Sequence, residues 1–105
     1  MPGHRDIELN DSSITNGRIY FSASDKAFFP SDSFGTRDGE EKGDAVTFDI
    51  VGEQVSSDLR LVSGQRISPR KSFARFIKAL KAKSGDKWRV TLVDKRRYKI
   101  EPIAT

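Results

Sequence analysis

The sequence predicts one mainly β domain with two short helices, its strands curled into a small barrel. Three observations carry that expectation. The chain has 105 residues, enough for one hydrophobic core but not for two. Its apolar residues alternate with polar ones in several short runs, the period of half-buried strands. Only two stretches carry a helical signal, too few for a doubly wound α/β sheet of this length. At 35% hydrophobic and 32% charged residues the chain is polar for a globular domain, but 10% aromatic content argues against disorder.

Taken in order, Met1 to Ser13 is polar, with only Ile7 and Leu9 to anchor it, and reads as a flexible lead-in. The first strand is expected over Ile14 to Phe21, where Ile19 and Phe21 alternate with Arg18 and Tyr20. A polar loop, Ser22 to Lys26, follows. Pro30, Ser31, Asp32 and Ser33 predict a short helical turn, because proline is tolerated in a first turn and Ser/Asp side chains cap it. Phe28, Phe29 and Phe34 read as core aromatics: no Arg or Lys is interleaved with them, as a base-stacking surface would require. Thr36 to Asp44 holds two glycines, six charges and no apolar residue, the composition of a surface loop.

Ala45 to Val51 alternates Val46, Phe48 and Ile50 against Thr47 and Asp49, a strand with one buried face. Gly52-Glu53 turns into a second strand, Gln54 to Val62, and Ser63-Gly64-Gln65 makes the next turn. Phe73, Phe76, Ile77 and Leu80 fall at i, i+3, i+4 and i+7, the stripe of an amphipathic helix started by Ser68-Pro69 and ended by Ser84-Gly85-Asp86. Its other faces carry Arg75, Lys78, Lys81 and Lys83. Trp88 to Val93 is a further strand, Lys95-Arg96-Arg97 a basic turn, and Tyr98, Ile100 and Ile103 mark the last strand.

Composition closes several function classes. Cysteine is absent, which removes disulfides, thiol nucleophiles and thiolate zinc sites. The single histidine, His4, lies in the polar lead-in, so no histidine metal site or serine–histidine triad is expected. No apolar run approaches the roughly 18–20 residues that cross a bilayer, and the N-terminus lacks a signal-peptide apolar region. The expectation is a soluble intracellular protein, cytoplasmic in a bacterium or nuclear in a plant, with no membrane partner.

The net charge of +4 conceals an asymmetry. Residues 1–53 carry five Lys/Arg against eleven Asp/Glu, whereas residues 54–105 carry fourteen against four. Such a bipolar chain points one face at a polyanion and leaves an acidic half for a protein partner. Arg60 to Lys71 concentrates the signal: Arg60, Arg66, Arg70 and Lys71 with Ser63, Gln65 and Ser68 between them and no acid. Arginine pairs bidentately with guanine, glutamine with adenine, and serine with phosphates or base edges. A hairpin-like arm presenting these groups suits a DNA groove; a solvated turn is the plain alternative.

Nuclease chemistry needs acids that hold magnesium beside a lysine. Glu40-Glu41-Lys42 has the spacing, with Asp32 upstream, but it sits between Gly39 and Gly43 in the most loop-like stretch of the chain. Ligands on such a loop hold octahedral geometry poorly. Asp49, Glu53, Asp58 and Asp94 are single acids among strand apolars and read as solvated. Gly35, Gly39 and Gly43 are spaced by acids that repel phosphate, so no phosphate-cradling loop is expected.

Arg18-Ile-Tyr-Phe21, Phe28-Phe-Pro-Ser-Asp32 with Phe34-Gly35, Ser57-Asp58-Leu59, Phe73-Ala-Arg-Phe76, Ser84-Gly85-Asp86 and Tyr98-Lys-Ile100 occur in an order that resembles the DNA-binding pseudobarrel family. That family includes plant B3 transcription-factor domains and the effector-binding domains of EcoRII-type restriction endonucleases. The resemblance covers roughly residues 17–102. It implies a seven-stranded open pseudobarrel spanning 14–103 that grips the DNA major groove with two arms. Mapped here, one arm is Ser22 to Lys26, including Ser24-Asp25, and the other lies near Ser63 to Lys71. Lys26 stands where the plant pattern commonly has an apolar residue, and the acidic loop Thr36 to Asp44 should point away from DNA.

The combined expectation is a non-catalytic, cofactor-free, sequence-preferring double-stranded DNA-binding domain, related to restriction-modification or transcription regulation. Gln65, Arg66 and Arg70 would read bases, with Ser24 and Lys26 doing so from the other arm, beside Ser22 and Asp25. Arg60, Lys71 and Lys78 would neutralise phosphates. A protein-interaction barrel without DNA binding and a magnesium-dependent nuclease are the alternatives. RNA is less favoured, because no Arg-flanked aromatic platform is visible.

Overall fold

The computed structural model describes residues 3–35, 42–62 and 66–103. Eight strands are present among them: β1 (His4–Glu8), β2 (Phe21–Ser22), β3 (Val46–Ile50), β4 (Glu53–Ser57), β5 (Leu59–Val62), β6 (Arg66–Pro69), β7 (Lys87–Asp94) and β8 (Arg97–Pro102). Two short α-helices, α1 (Asp11–Asn16) and α2 (Ala74–Ala79), and two 3-10 helices, Ala23–Phe28 and Ser31–Ser33, connect them. The strands form two open sheets, of order β1-β7-β8-β3-β4 and β2-β6-β5. All pairings are antiparallel except β3 with β8. The mainly β expectation therefore holds, but the count is eight strands instead of seven, and no closed barrel is seen. No helix among the described residues is long and apolar enough to cross a membrane.

The core lies between the sheets and is built largely from rings. Phe21, Phe48, Phe73, Phe76, Trp88 and Tyr98 are all at most 2% exposed. Phe29 sits edge-on to Phe21 and Phe28, with centroids 5.0 and 5.2 Å apart, and Tyr98 packs 5.2 Å from each of Phe28 and Phe29. Each such buried ring contributes about 1.5–3 kcal/mol through area alone. The Tyr98 hydroxyl donates to the Phe28 carbonyl at 2.7 Å, so this buried hydroxyl is satisfied. Phe28 and Phe29 are core residues as their spacing implied, and Phe34 packs against them half-buried.

Four expectations about local structure are corrected. The lead-in is structured: β1 pairs with β7, setting Ile7 opposite Trp88, and Leu9 is fully buried. The five-stranded sheet therefore includes His4–Glu8, ahead of residue 14. A strand over Ile14 to Phe21 is replaced by α1 and the short β2. Asn10 caps α1, its Oδ1 accepting from the Ser13 amide at 2.9 Å, and Ser13 Oγ accepts from the Asn10 amide in return. Gly17 closes α1 at φ 64°, where a Cβ would also stand 2.6 Å from that of Ala74.

The single strand expected over Gln54 to Val62 is two strands in different sheets. Ser57, Asp58 and Leu59 are buried in succession, which an alternating strand cannot do, and the chain changes sheet there. Helix α2 starts after Phe73 instead of at Ser68-Pro69, because Pro69 is the last residue of β6 and pairs with Leu59. Its stripe is as read: Phe73, Phe76 and Ile77 are buried and Leu80 packs against the core.

Candidate nucleic-acid interface

The three-stranded sheet is where the two expected arms meet. β5 and β6 form an antiparallel hairpin running from Leu59 opposite Pro69 at its root to Val62 opposite Arg66 near its tip. β2 flanks β6, with Phe21 opposite Ile67 and Ser22 opposite Arg66. The Ser22–Lys26 segment thus leaves the sheet beside the tip of the hairpin. It is the start of a 3-10 helix and not a plain loop: Ser22 caps it, its Oγ accepting from the Ser24 amide at 3.3 Å and lying 2.9 Å from Ser24 Oγ.

Arg66 is half-buried and lays its guanidinium 4.3 Å from the centroid of the Tyr20 ring. A cation held on an aromatic face is stabilised and oriented at once. Tyr20 is itself placed by an amide donation from Asn16 to its hydroxyl, 3.3 Å long. Lys26 is exposed with its Nζ 5.5 Å from the Phe34 ring centroid. Asp25 accepts from Arg5 Nε at 2.9 Å, and Arg5 also covers Phe28 at 4.7 Å. The one carboxylate of this arm is therefore neutralised by a β1 residue, so its charge opposes an approaching polyanion less. Arg5 and Tyr20 were missed in the sequence: both depend on pairings between segments that no local pattern reveals.

Other residues of the basic segment turn inward. Ser68 is fully buried, and its hydroxyl donates to the Pro69 carbonyl at 3.2 Å. Arg70 donates to both carboxylate oxygens of Asp58, at 2.8 and 2.9 Å, and its amide donates to the Asp58 carbonyl at 3.0 Å. Ser68 and Arg70 thus stabilise the hairpin's root instead of presenting groups at its surface. Asp58 is not the solvated acid its isolation implied; it is 6% exposed and also accepts from the Gly43 amide at 3.0 Å. Burial alone pushes its carboxyl upward, but the Arg70 hydrogen bonds, the Gly43 N–H and the Arg70 charge together hold it below the ordinary value of 3.8. Arg18 clamps the same root, donating to the carbonyls of Pro69 and Arg70 at 3.2 and 2.7 Å.

Arg60 is half-buried on β5 opposite Ser68, Lys71 is exposed just past β6, and Lys78 is exposed on α2. The structure does not bring Lys78 into the sheet. Ser63 and Gln65, and the Glu40-Glu41 acids of the nuclease alternative, lie outside the described residues. Among the described residues no three acidic or histidine side chains converge on a metal position.

No protein-family model matches the chain, and no curated protein matches it. Solved structures do. A hypothetical protein of Arabidopsis thaliana superposes with a TM-score of 0.64 at 10% identity, over 99% of this chain and 92% of that one. The N-terminal domain of Helicobacter pylori LlaJI.R1 superposes with a TM-score of 0.63 at 17% identity, over 97% of this chain and 88% of its own. Likeness at these identities shows a shared fold.

Proposed function

We propose that the chain is a non-catalytic, sequence-preferring double-stranded DNA-binding domain. The observation that carries this reading is the register of β2 on β6, which sets Ser22 against Arg66 and joins the two segments into one cationic tip. In this reading Arg66, aligned by Tyr20, offers its planar fork to a base edge, joined by Gln65, its neighbour in sequence, and by Ser24 and Lys26 from the neighbouring segment. Lys71, Arg60 and Lys78 neutralise phosphates. The likeness of fold to the N-terminal domain of Helicobacter pylori LlaJI.R1 is consistent with the pseudobarrel that the motif order resembles. Fold likeness alone does not assign function, so the tip carries the assignment.

The test compares Arg66→Ala with Lys78→Gln by fluorescence anisotropy on a preferred duplex and a scrambled one. Removing Arg66 should cost about 1–3 kcal/mol on the preferred duplex and flatten preference at one position. Arg66→Lys should keep affinity for the scrambled duplex and still lose preference, because lysine lacks the bidentate fork. Lys78→Gln should weaken both duplexes alike. Equal loss of preference in both positions would overturn the division of roles.

A further inference from the structure

A groove separate from the tip runs along the free edge of β4. β4 ends the five-stranded sheet and pairs on one side only. Two adjoining cavities of about 330 and 270 Å³ separate it from the chain that links β6 to α2, and both are lined by Ser56 and Lys71. Lys42 lines one of them and Arg75 the other.

The charge of the groove is one-sided. Among the described residues that line it, Asp58 is the only carboxylate, and Arg70 pairs with it. Glu53 approaches Arg75 at 3.3 Å, but both side chains are more than half exposed, where such a pair contributes little. Lys42, Lys71 and Arg75 remain as cations, with Ser56, Ser72 and Gln54 as neutral hydrogen-bonding groups. Several donors around a space of this size suit a small anion with many acceptor oxygens, and a phosphate is the common one.

We infer that this groove holds a backbone phosphodiester of the duplex whose bases the tip reads; the inference rests on the DNA-binding reading. Lys71 stands two residues beyond the end of β6, the strand whose other end carries Arg66, so the groove and the tip belong to one continuous segment.

The experiment measures duplex affinity across salt concentrations for the unaltered chain, for Lys71→Gln with Arg75→Gln, and for Lys95→Gln with Lys99→Gln as a control of equal charge. Each phosphate that the protein no longer neutralises lowers the slope of log K against log salt by about 0.9. The groove pair should lower the slope by about that amount with base preference unchanged, and the control pair should leave it unaltered. A slope unmoved by the groove pair, or moved equally by the control, overturns the groove while an Arg66-dependent preference leaves the DNA reading intact. No duplex binding by the unaltered chain at low salt overturns both. A second arm uses the unaltered protein and follows the amide resonances of Ser56 and Ser72. They should shift with a short duplex; a shift with inorganic phosphate and none with the duplex overturns the assignment.

Discussion

Replacing Asp58 with alanine probes the joint on which the hairpin stands. The carboxylate accepts two hydrogen bonds from Arg70 and one from the Gly43 amide, at 2.8, 2.9 and 3.0 Å. Its removal takes this acceptor away from a guanidinium and an N–H. Breaking a buried ion pair from one side costs about 3–5 kcal/mol. Arg70 keeps 18% of its side-chain exposure, so water recovers part of the loss, and the expected cost is ~3 kcal/mol. With a urea m-value near ~1.5 kcal/mol/M, the unfolding midpoint should fall by ~2 M. The double variant Asp58→Ala with Arg70→Ala should cost less than the two single changes together, because both single changes remove the same ion pair. The pH dependence has a fixed sign. Asp58 is lowered in the folded state, so its stabilisation is present above the unfolded carboxylate pKa and is lost as pH falls through the folded one. The gap between the unaltered protein and Asp58→Ala should therefore be full at pH 7 and close in acid. A midpoint shift below ~0.5 M, or a gap independent of pH, would refute this account of the joint.

Two further outcomes test the fold. Burial pushes the Tyr98 phenol up to about 12, with the Arg96 charge opposing it, so the folded state resists its ionisation. Stability from this group is full below the unfolded value near 10 and declines between about pH 10 and 12, by roughly 2–3 kcal/mol in all; alkaline urea titrations of Tyr98→Phe should lack that decline. Val51 and Gly52 join β3 to β4 at φ 53° and 73°, the type I′ geometry that suits Asn-Gly and strains a β-branched residue. Val51→Asn should raise stability by ~1 kcal/mol and the melting temperature by a few degrees, and an unchanged or lower melting temperature would contradict it.

What the sequence disclosed, and what it did not, follows from the range of the interactions. The α2 stripe and the strands β3, β7 and β8 were legible because their burial repeats at a local period. Arg66 was legible as part of a basic run. β1 was not, because only Ile7 of its five residues is buried and its strand character comes from pairing with β7, far away in the sequence. Asp58 looked solvated for a related reason: its partner Arg70 is twelve residues distant, at the other foot of the β5–β6 hairpin. Ser68 and Arg70 were assigned to DNA on residue type and on the arm that the resemblance implies. Their orientation follows from the pairing of β6, which turns one side chain into the core and the other onto Asp58. Arg5 with Asp25, and Tyr20 with Arg66, likewise arise only once separate segments are brought together.

The most direct test of DNA reading is selection from a randomised duplex library at about 0.1 M salt, where non-specific phosphate binding is already weakened. A short enriched motif that disappears with Arg66→Ala is the result expected of a tip that reads bases. A flat library, with binding that vanishes as salt rises, would contradict it.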